Sequence, residues 1–325
     1  MRKVFFLLVV ALLAGGGWMT LQHYQIEGLE YLKLKPRGAT VPSDPNGAPP
    51  VERQTDTIRI GSFNIQAFGA AKLNKPRVAN ILADIVRRFD VVAIQAIRSK
   101  TDDLLPRFME AVNSTGRHYD YAIGPRLGRT DSKEQYAFIF DTASIEVDRN
   151  ALYTVDDPDD LLHREPLVGW FRVRGPPENE AFTFKLIDIH TDPDQTKSEL
   201  DALADVYRAV RDDGRGEDDV ILLGDLNADD KHLGRLGEIS NLTAVISGVP
   251  TNTRGTRQSD NMIFSRAATV EYTGRSGVFD MIREYNLTMN EALEVSDHMP
   301  IWAEFTVREG GQPGRVAKRQ TETAK

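Results

Sequence analysis

The chain of 325 residues contains no cysteine. Disulfide scaffolds, thiolate zinc sites and cysteine nucleophiles are excluded together. Positive charge is also in short supply. Lys and Arg number 40 against 48 Asp and Glu, giving a formal net charge of −8. A polyanionic partner must therefore be met by a local basic rim or a metal ion, not by bulk charge. No Gly-x-Ser-x-Gly element occurs, which removes the usual signature of a serine hydrolase. What remains is ordinary globular composition, 41% hydrophobic and 27% charged with 25 Gly and 16 Pro. That composition excludes a collagen-like, wholly disordered or polytopic membrane chain.

Long apolar runs are scarce, and the one that matters lies at the start. Arg2-Lys3 precede Val4–Ala14, eleven unbroken apolar residues. This length suits the core of a signal peptide, whereas a spanning helix needs about 20. Residues 1–19 are thus expected to direct export to the periplasm or outside, or to remain as an N-terminal membrane anchor. Residues 20–56, with Lys35-Pro36-Arg37-Gly38 and Gly47-Ala48-Pro49-Pro50, form a Pro/Gly-rich linker without hydrophobic period. Residues 308–325, opened by Glu309-Gly310-Gly311, are expected to be a disordered tail. The folded unit is residues 57–307, one domain, expected to be a monomer.

Within it, strands and helices alternate. Thr57–Phe63 alternates apolar and polar residues. Val78, Ile81, Leu82, Ile85, Val86 and Phe89 fall at helical spacing, as do Leu200, Leu203, Ala204, Tyr207 and Val210. Leu104–Val112 is a further helix. Asp90–Ala96, Tyr119–Ile123, Gln135–Phe140, Val168–Val173, Phe182–Ile189, Asp219–Leu223 and Ile301–Val307 are strand-like. Several strands are separated by turns alone, which favours mixed sheets with helices outside them.

The polar residues cluster where strands end. Asn64 follows IRIGSF, Glu134 opens QYAFIF, His190 follows KLIDI, and Asp225 and Asn227 follow ILLG. Asp260-Asn261 precede MIF, and Asp297-His298 precede the last strand. Ligands commonly gather at one end of the sheet in layered α/β folds. Two histidines with several carboxylates and amides, and no Cys, point to metal-assisted chemistry on a phosphate. Each element alone also fits a turn, a cap or a structural histidine. Asp156-Asp157-Pro158-Asp159-Asp160 fits a solvated loop or, with Glu165, a calcium site.

SFNIQAFG (Ser62–Gly69), KEQYAFIF, IDIH, GDLNAD, SDNMIF and SDHMPI occur in the order of the endonuclease/exonuclease/phosphatase superfamily. The chain most resembles its deoxyribonuclease I family. That resemblance implies an α/β (α+β) fold, a four-layer α/β/β/α sandwich of two mixed sheets flanked by helices. It implies a divalent-metal-dependent endonuclease acting on DNA, with Mg2+, or Ca2+ or Mn2+, as cofactor. By the same resemblance Glu134 pairs with His190 and Asp260 with His298, the imidazoles serving as general acid and base. Asp225 and Asp297 would hold the metal or position water. Asn64 and Asn227 would bond phosphate oxygens beside it, and Arg98, Arg129 and Arg164 would face DNA.

The departures are equally specific. Where the family carries its main metal-binding glutamate, this chain has Ala96, in Ile94-Gln95-Ala96-Ile97-Arg98. Alanine offers a hard cation no oxygen, and Gln95 should point to the opposite strand face. Gln66 and Ser132 stand at DNA-contacting positions, and Val249 replaces an aspartate of a calcium loop. Reduced activity is the expectation, whether the change is natural or introduced. A phosphoesterase of lipid or sugar phosphates and a non-catalytic DNA- or phosphate-binding relative stay open as alternatives.

Overall fold

The structure, a computed structural model, describes residues 56–129, 133–311 and 314–316. In chain order the elements are β1 (Thr57–Phe68), α1 (Ala70–Leu73), α2 (Pro76–Val86), β2 (Val91–Ile97), α3 (Leu104–Asn113), β3 (Tyr119–Ile123), β4 (Gln135–Asp141), β5 (Ile145–Thr154) and β6 (Leu167–Val173). Then follow β7 (Thr183–His190), α4 (Thr196–Arg211), β8 (Val220–Asp225), α5 (Gly234–Gly237), β9 (Leu242–Ala244), β10 (Asp260–Ser265), β11 (Tyr272–Val278), α6 (Met281–Glu284), α7 (Met289–Val295) and β12 (Ile301–Thr306).

Two six-stranded mixed sheets result, in the orders β11-β12-β1-β2-β4-β3 and β5-β6-β7-β8-β10-β9. Each sheet is centred on one parallel pair, β1 with β2 and β7 with β8. A parallel pair needs a crossover, and α2 and α4 supply it. The apolar stripe read along Val78–Phe89 is the buried face of α2 and the residues just beyond it. α2 starts with Pro76, where a missing N–H costs nothing. α7 starts with a capping box, Thr288 against Glu291.

Three apolar layers bind the sheets and helices into a sandwich. Val78, Leu82, Ile94 and Phe108 join the first sheet to α2 and α3; Ile187, Leu203, Tyr207 and Leu222 join the second to α4. Between the sheets lies an aromatic stack. Phe138 meets Phe171 at 5.2 Å, Phe171 meets Phe184 at 5.5 Å, and Phe182 meets Phe305 at 5.8 Å. Fully burying each such ring is worth roughly 1.5–3 kcal/mol, so this layer locks the two sheets together.

Three strands escaped sequence reading: β5, β9 and β11. All three are sheet edges. An edge strand has one neighbour and one solvated rim, so its pattern is weak; β11 carries Gly274 and Gly277 besides. The disordered tail expected from residue 308 is corrected in its first part. Gly314 N donates to Thr183 Oγ1 at 2.6 Å, and Val316 is buried with Trp170 and Ala151. Val316 thus covers apolar surface of β5 and β6. Among the described residues no helix is long and apolar enough to cross a membrane. The N-terminal export or anchor segment lies outside them.

Candidate active site

Strand register brings the polar residues together. His190, the last residue of β7, is opposite Asp225, the last of β8, and Asp225 is opposite Asp260, the first of β10. His298 is placed by a bridge to Asn252 just before β12, and Glu134 by a bridge to Leu127 just before β4. Gly224 is what lets the chain turn at this point. Its φ is 142°, and a Cβ there would stand 2.0 Å from the Ile189 carbonyl oxygen, so only glycine fits.

The site is organised around one oxygen. Asp225 Oδ2 lies 3.5 Å from His190 Nε2, 3.5 Å from His298 Nε2, and accepts Asn64 Nδ2 at 2.9 Å. Each imidazole is anchored from behind. His190 Nδ1 is 2.9 Å from Glu134 Oε2, and His298 Nδ1 is 2.9 Å from Asp260 Oδ2. A carboxylate at Nδ1 fixes ring orientation and leaves Nε2 facing the cleft. The supporting residues were not legible as such. Thr251 Oγ1 donates to Asp260 Oδ2 at 2.7 Å, and the Tyr136 hydroxyl accepts His190 N at 2.9 Å. Lys72 Nζ, bonded to three carbonyls, is another; burial brings its pKa down to about 8 although Asp297 opposes this.

Electrostatics follows from these contacts. Burial would push the Glu134 carboxyl up, but the His190 hydrogen bond and charge, with Arg164 and Arg98, outweigh it and hold the pKa at about 2. Burial likewise pulls His298 down, yet Asp260, Asp225 and Asp297 lift it to about 10. Ligand atoms of Asp225, Asp260 and His298 lie within 4.8 Å of one another. Asp260 is committed to His298 and Thr251, whereas Asp297 Oδ1 is buried without a hydrogen-bond partner. That oxygen stands 3.8 Å from His298 Nε2, and a carboxylate oxygen without a hydrogen-bond partner is an environment that a hard cation satisfies. The residues present thus fit a divalent cation.

Ala96 is 2% exposed and sits at φ 60°, in a bulge between Ile94 and Ile97 where β2 changes register. Position 96 is therefore packed, not on an open hydrated wall. The neighbouring Gln95 is held through its Nε2, which donates to Ser62 Oγ at 3.0 Å and Asp188 Oδ1 at 2.6 Å.

The three arginines are placed differently from one another. Arg98 donates twice to Glu134 Oε1, at 2.9 and 2.6 Å, with its side chain 46% exposed. Arg164 is 8% exposed, bonded to the His190 and Thr191 carbonyls, and acts as an anchor rather than a rim. Arg129 is engaged by Asp160 and Gln195. Asn227 donates to the Thr191 carbonyl and faces Arg257, which the sequence reading had not singled out. Arg257, Asn227, Lys197 and Lys231 line a cleft of about 1000 Å³ beside the site, with Val249 on its wall. Gln66 is exposed, and Ser132 lies outside the described residues. In the Asp156–Asp160 loop, Asp157 caps Leu162 N and Asp160 holds Arg129, so these carboxylates are spent on local structure.

A two-sheet sandwich with paired His–carboxylate groups at one sheet end defines a class, and the chain belongs to it. The Endonuclease/Exonuclease/phosphatase family matches residues 61–298. Among curated relatives, deoxyribonuclease gamma of Rattus norvegicus is 32% identical over 262 residues, 75% of this chain and 83% of the relative. Deoxyribonuclease-1-like 2 of Homo sapiens is 31% identical over 277 residues, 76% of this chain and 91% of that one. Among solved structures, the human Nocturnin catalytic domain superposes with TM-score 0.52 at 14% identity, over 77% of this chain and 94% of that one. The last likeness speaks for the fold alone.

Proposed function

We propose that the chain is a divalent-cation-dependent endonuclease that hydrolyses DNA phosphodiester bonds. The observation that carries this is the convergence of both His Nε2 atoms, each backed by a carboxylate, on Asp225 Oδ2. A phosphate held there would lie between two groups able to move protons. His298, oriented by Asp260, donates to the leaving oxygen, and His190, oriented by Glu134, takes the proton of the attacking water. Asn64 and Asn227 bond phosphate oxygens. A divalent cation, Mg2+ in the first instance, would be held by Asp225 and Asp297 with Asn64 and Asn227 beside them, and would offset phosphoryl charge. Arg98 and Arg257 are the exposed cations that approach the DNA backbone, while Arg164 and Arg129 act mainly through Glu134 and the neighbouring loop.

Ala96 sets the rate. Losing one preorganised electrostatic group costs about 10²–10³ in rate. Ala96→Glu should restore activity by that order and lower the magnesium needed for half-maximal plasmid cleavage. Plasmid digestion by both proteins across a magnesium titration decides it, with inositol phosphate and sphingomyelin as controls. A glutamate variant no faster at saturating magnesium would show that position 96 is not where a ligand is missing, whereas preferential cleavage of a control removes the nuclease assignment.

A further inference from the structure

A second group of acids lies at the other end of β8. Asp219 immediately precedes β8, so about six residues, roughly 20 Å of strand, separate it from Asp225. Carboxylate oxygens of Asp219, Glu271 and Glu309 lie within 4.8 Å of one another. Glu217 adjoins them, its Oε1 accepting Asp219 N at 3.0 Å. Asp219 is 1% exposed and Glu271 2%, a depth at which carboxylates are rare without a partner.

Backbone N–H groups of Gly310, Thr183 and Gly311 meet one oxygen of Glu271 and both of Glu309, but not every oxygen of the cluster is met. Asp219 Oδ1 and Glu271 Oε2 are buried with no hydrogen-bond partner. The Thr269 hydroxyl, 1% exposed, acts on the Asp219 carboxylate. Two partnerless carboxylate oxygens, from Asp219 and Glu271, thus lie buried within this cluster. Lys185, the cation that acts on Glu217, is itself held by Asp213 at 2.9 Å and the Val210 carbonyl at 3.1 Å. Burial, then the charges of Glu271 and Glu309, push the Asp219 carboxyl up to about 9.

We propose that Asp219, Glu271 and Glu309, with the Thr269 hydroxyl and Glu217 beside them, bind a structural divalent cation of the calcium type. The donor set is all oxygen, carboxylates that a hard cation would bind in their ionised form. The location gives the ion a task. Glu271 leads into β11 of the first sheet, Asp219 into β8 of the second, and Glu309 follows β12 while its Oε2 accepts Thr183 N at the start of β7. One ion would therefore clamp both sheets and the C-terminal strap at the end remote from the catalytic groups.

The test uses the full chain, stripped with chelator and then given calcium chloride. At roughly 100-fold above the dissociation constant, calcium should raise the melting temperature by about 5 °C. Terbium should show luminescence sensitised by Trp170, whose Nε1 is 3.1 Å from Glu217 Oε2. The Asp219→Asn, Glu271→Gln double variant should lose both effects and melt higher than the wild type in chelator, because the buried repulsion is gone. Asp225→Asn should keep both. A wild-type melting temperature unmoved by calcium overturns the site. So does a double variant that keeps the rise, or an Asp225→Asn variant that loses it.

Discussion

At the C-terminal end of β8, Asp225 shares one oxygen with two imidazoles and an amide; at the N-terminal end, Asp219 faces two further carboxylates. Both residues are about equally buried, at 2% and 1% exposure. Their surroundings separate them. Near Asp225 each acid has a basic group to orient, so buried charge becomes a tool for moving protons. Near Asp219 the acids have little to oppose them, so buried charge becomes a demand for a cation. The same residue type at two ends of one strand thus serves chemistry at one end and cohesion at the other.

The sharpest way to break that contrast is to remove an imidazole. His190→Ala or His298→Ala should lower plasmid cleavage by about 10²–10⁴. Asp219→Asn should leave cleavage intact at saturating magnesium and calcium. Near-normal turnover in either histidine variant would show that the proton-moving groups lie elsewhere.

A backbone change at the catalytic end comes next. Gly224→Ala would force a Cβ against the Ile189 carbonyl oxygen in a left-handed conformation, at a cost of about 3 kcal/mol or more. Urea denaturation should show it as a fall in midpoint. An unchanged midpoint would mean that the β7–β8 approach is looser than 2.0 Å implies.

Acidity should act oppositely at the two ends. Glu134 is depressed from the ordinary 4.5 to about 2, so its stabilising pairing is intact above 4.5 and is lost as pH falls toward 2. Asp219 is raised from 3.8 to about 9, so in metal-free protein the folded state holds the extra proton and stability declines as pH rises between those values. Melting temperatures across pH, in chelator, should follow both slopes, and Asp219→Asn should flatten only the alkaline one. A double variant insensitive at both ends would collapse the distinction.

The smallest effect belongs to the rim. Arg98→Gln should weaken DNA binding about equally across sequences and reduce the salt slope by about one. An unchanged slope in a binding titration would confine Arg98 to holding Glu134 and shift the DNA path toward Arg257.

By itself the sequence determined the central strands, the two crossover helices and the identity of the polar residues at strand ends. Those features are local: an apolar period, a strand terminus and a motif such as GDLNAD are all written in adjacent residues. It also marked Ala96, because a missing oxygen is legible in one letter. Tertiary structure decided which side chains meet. Glu134 and His190 are 56 positions apart, and Asp260 and His298 are 38 apart. The register of β7, β8 and β10 aligns His190, Asp225 and Asp260, and the packing of one sheet on the other brings Glu134, before β4, and His298, before β12, against them. It also decided that Arg164 anchors rather than reaches outward, that position 96 is packed, and that edge strands form without a strong pattern. The acidic cluster is the extreme case. Glu217, Asp219, Glu271 and Glu309 look like ordinary surface acids until two sheets and the C-terminal strap close over them. Burial is a property of the whole packed chain, and burial is what turns an acid into a ligand.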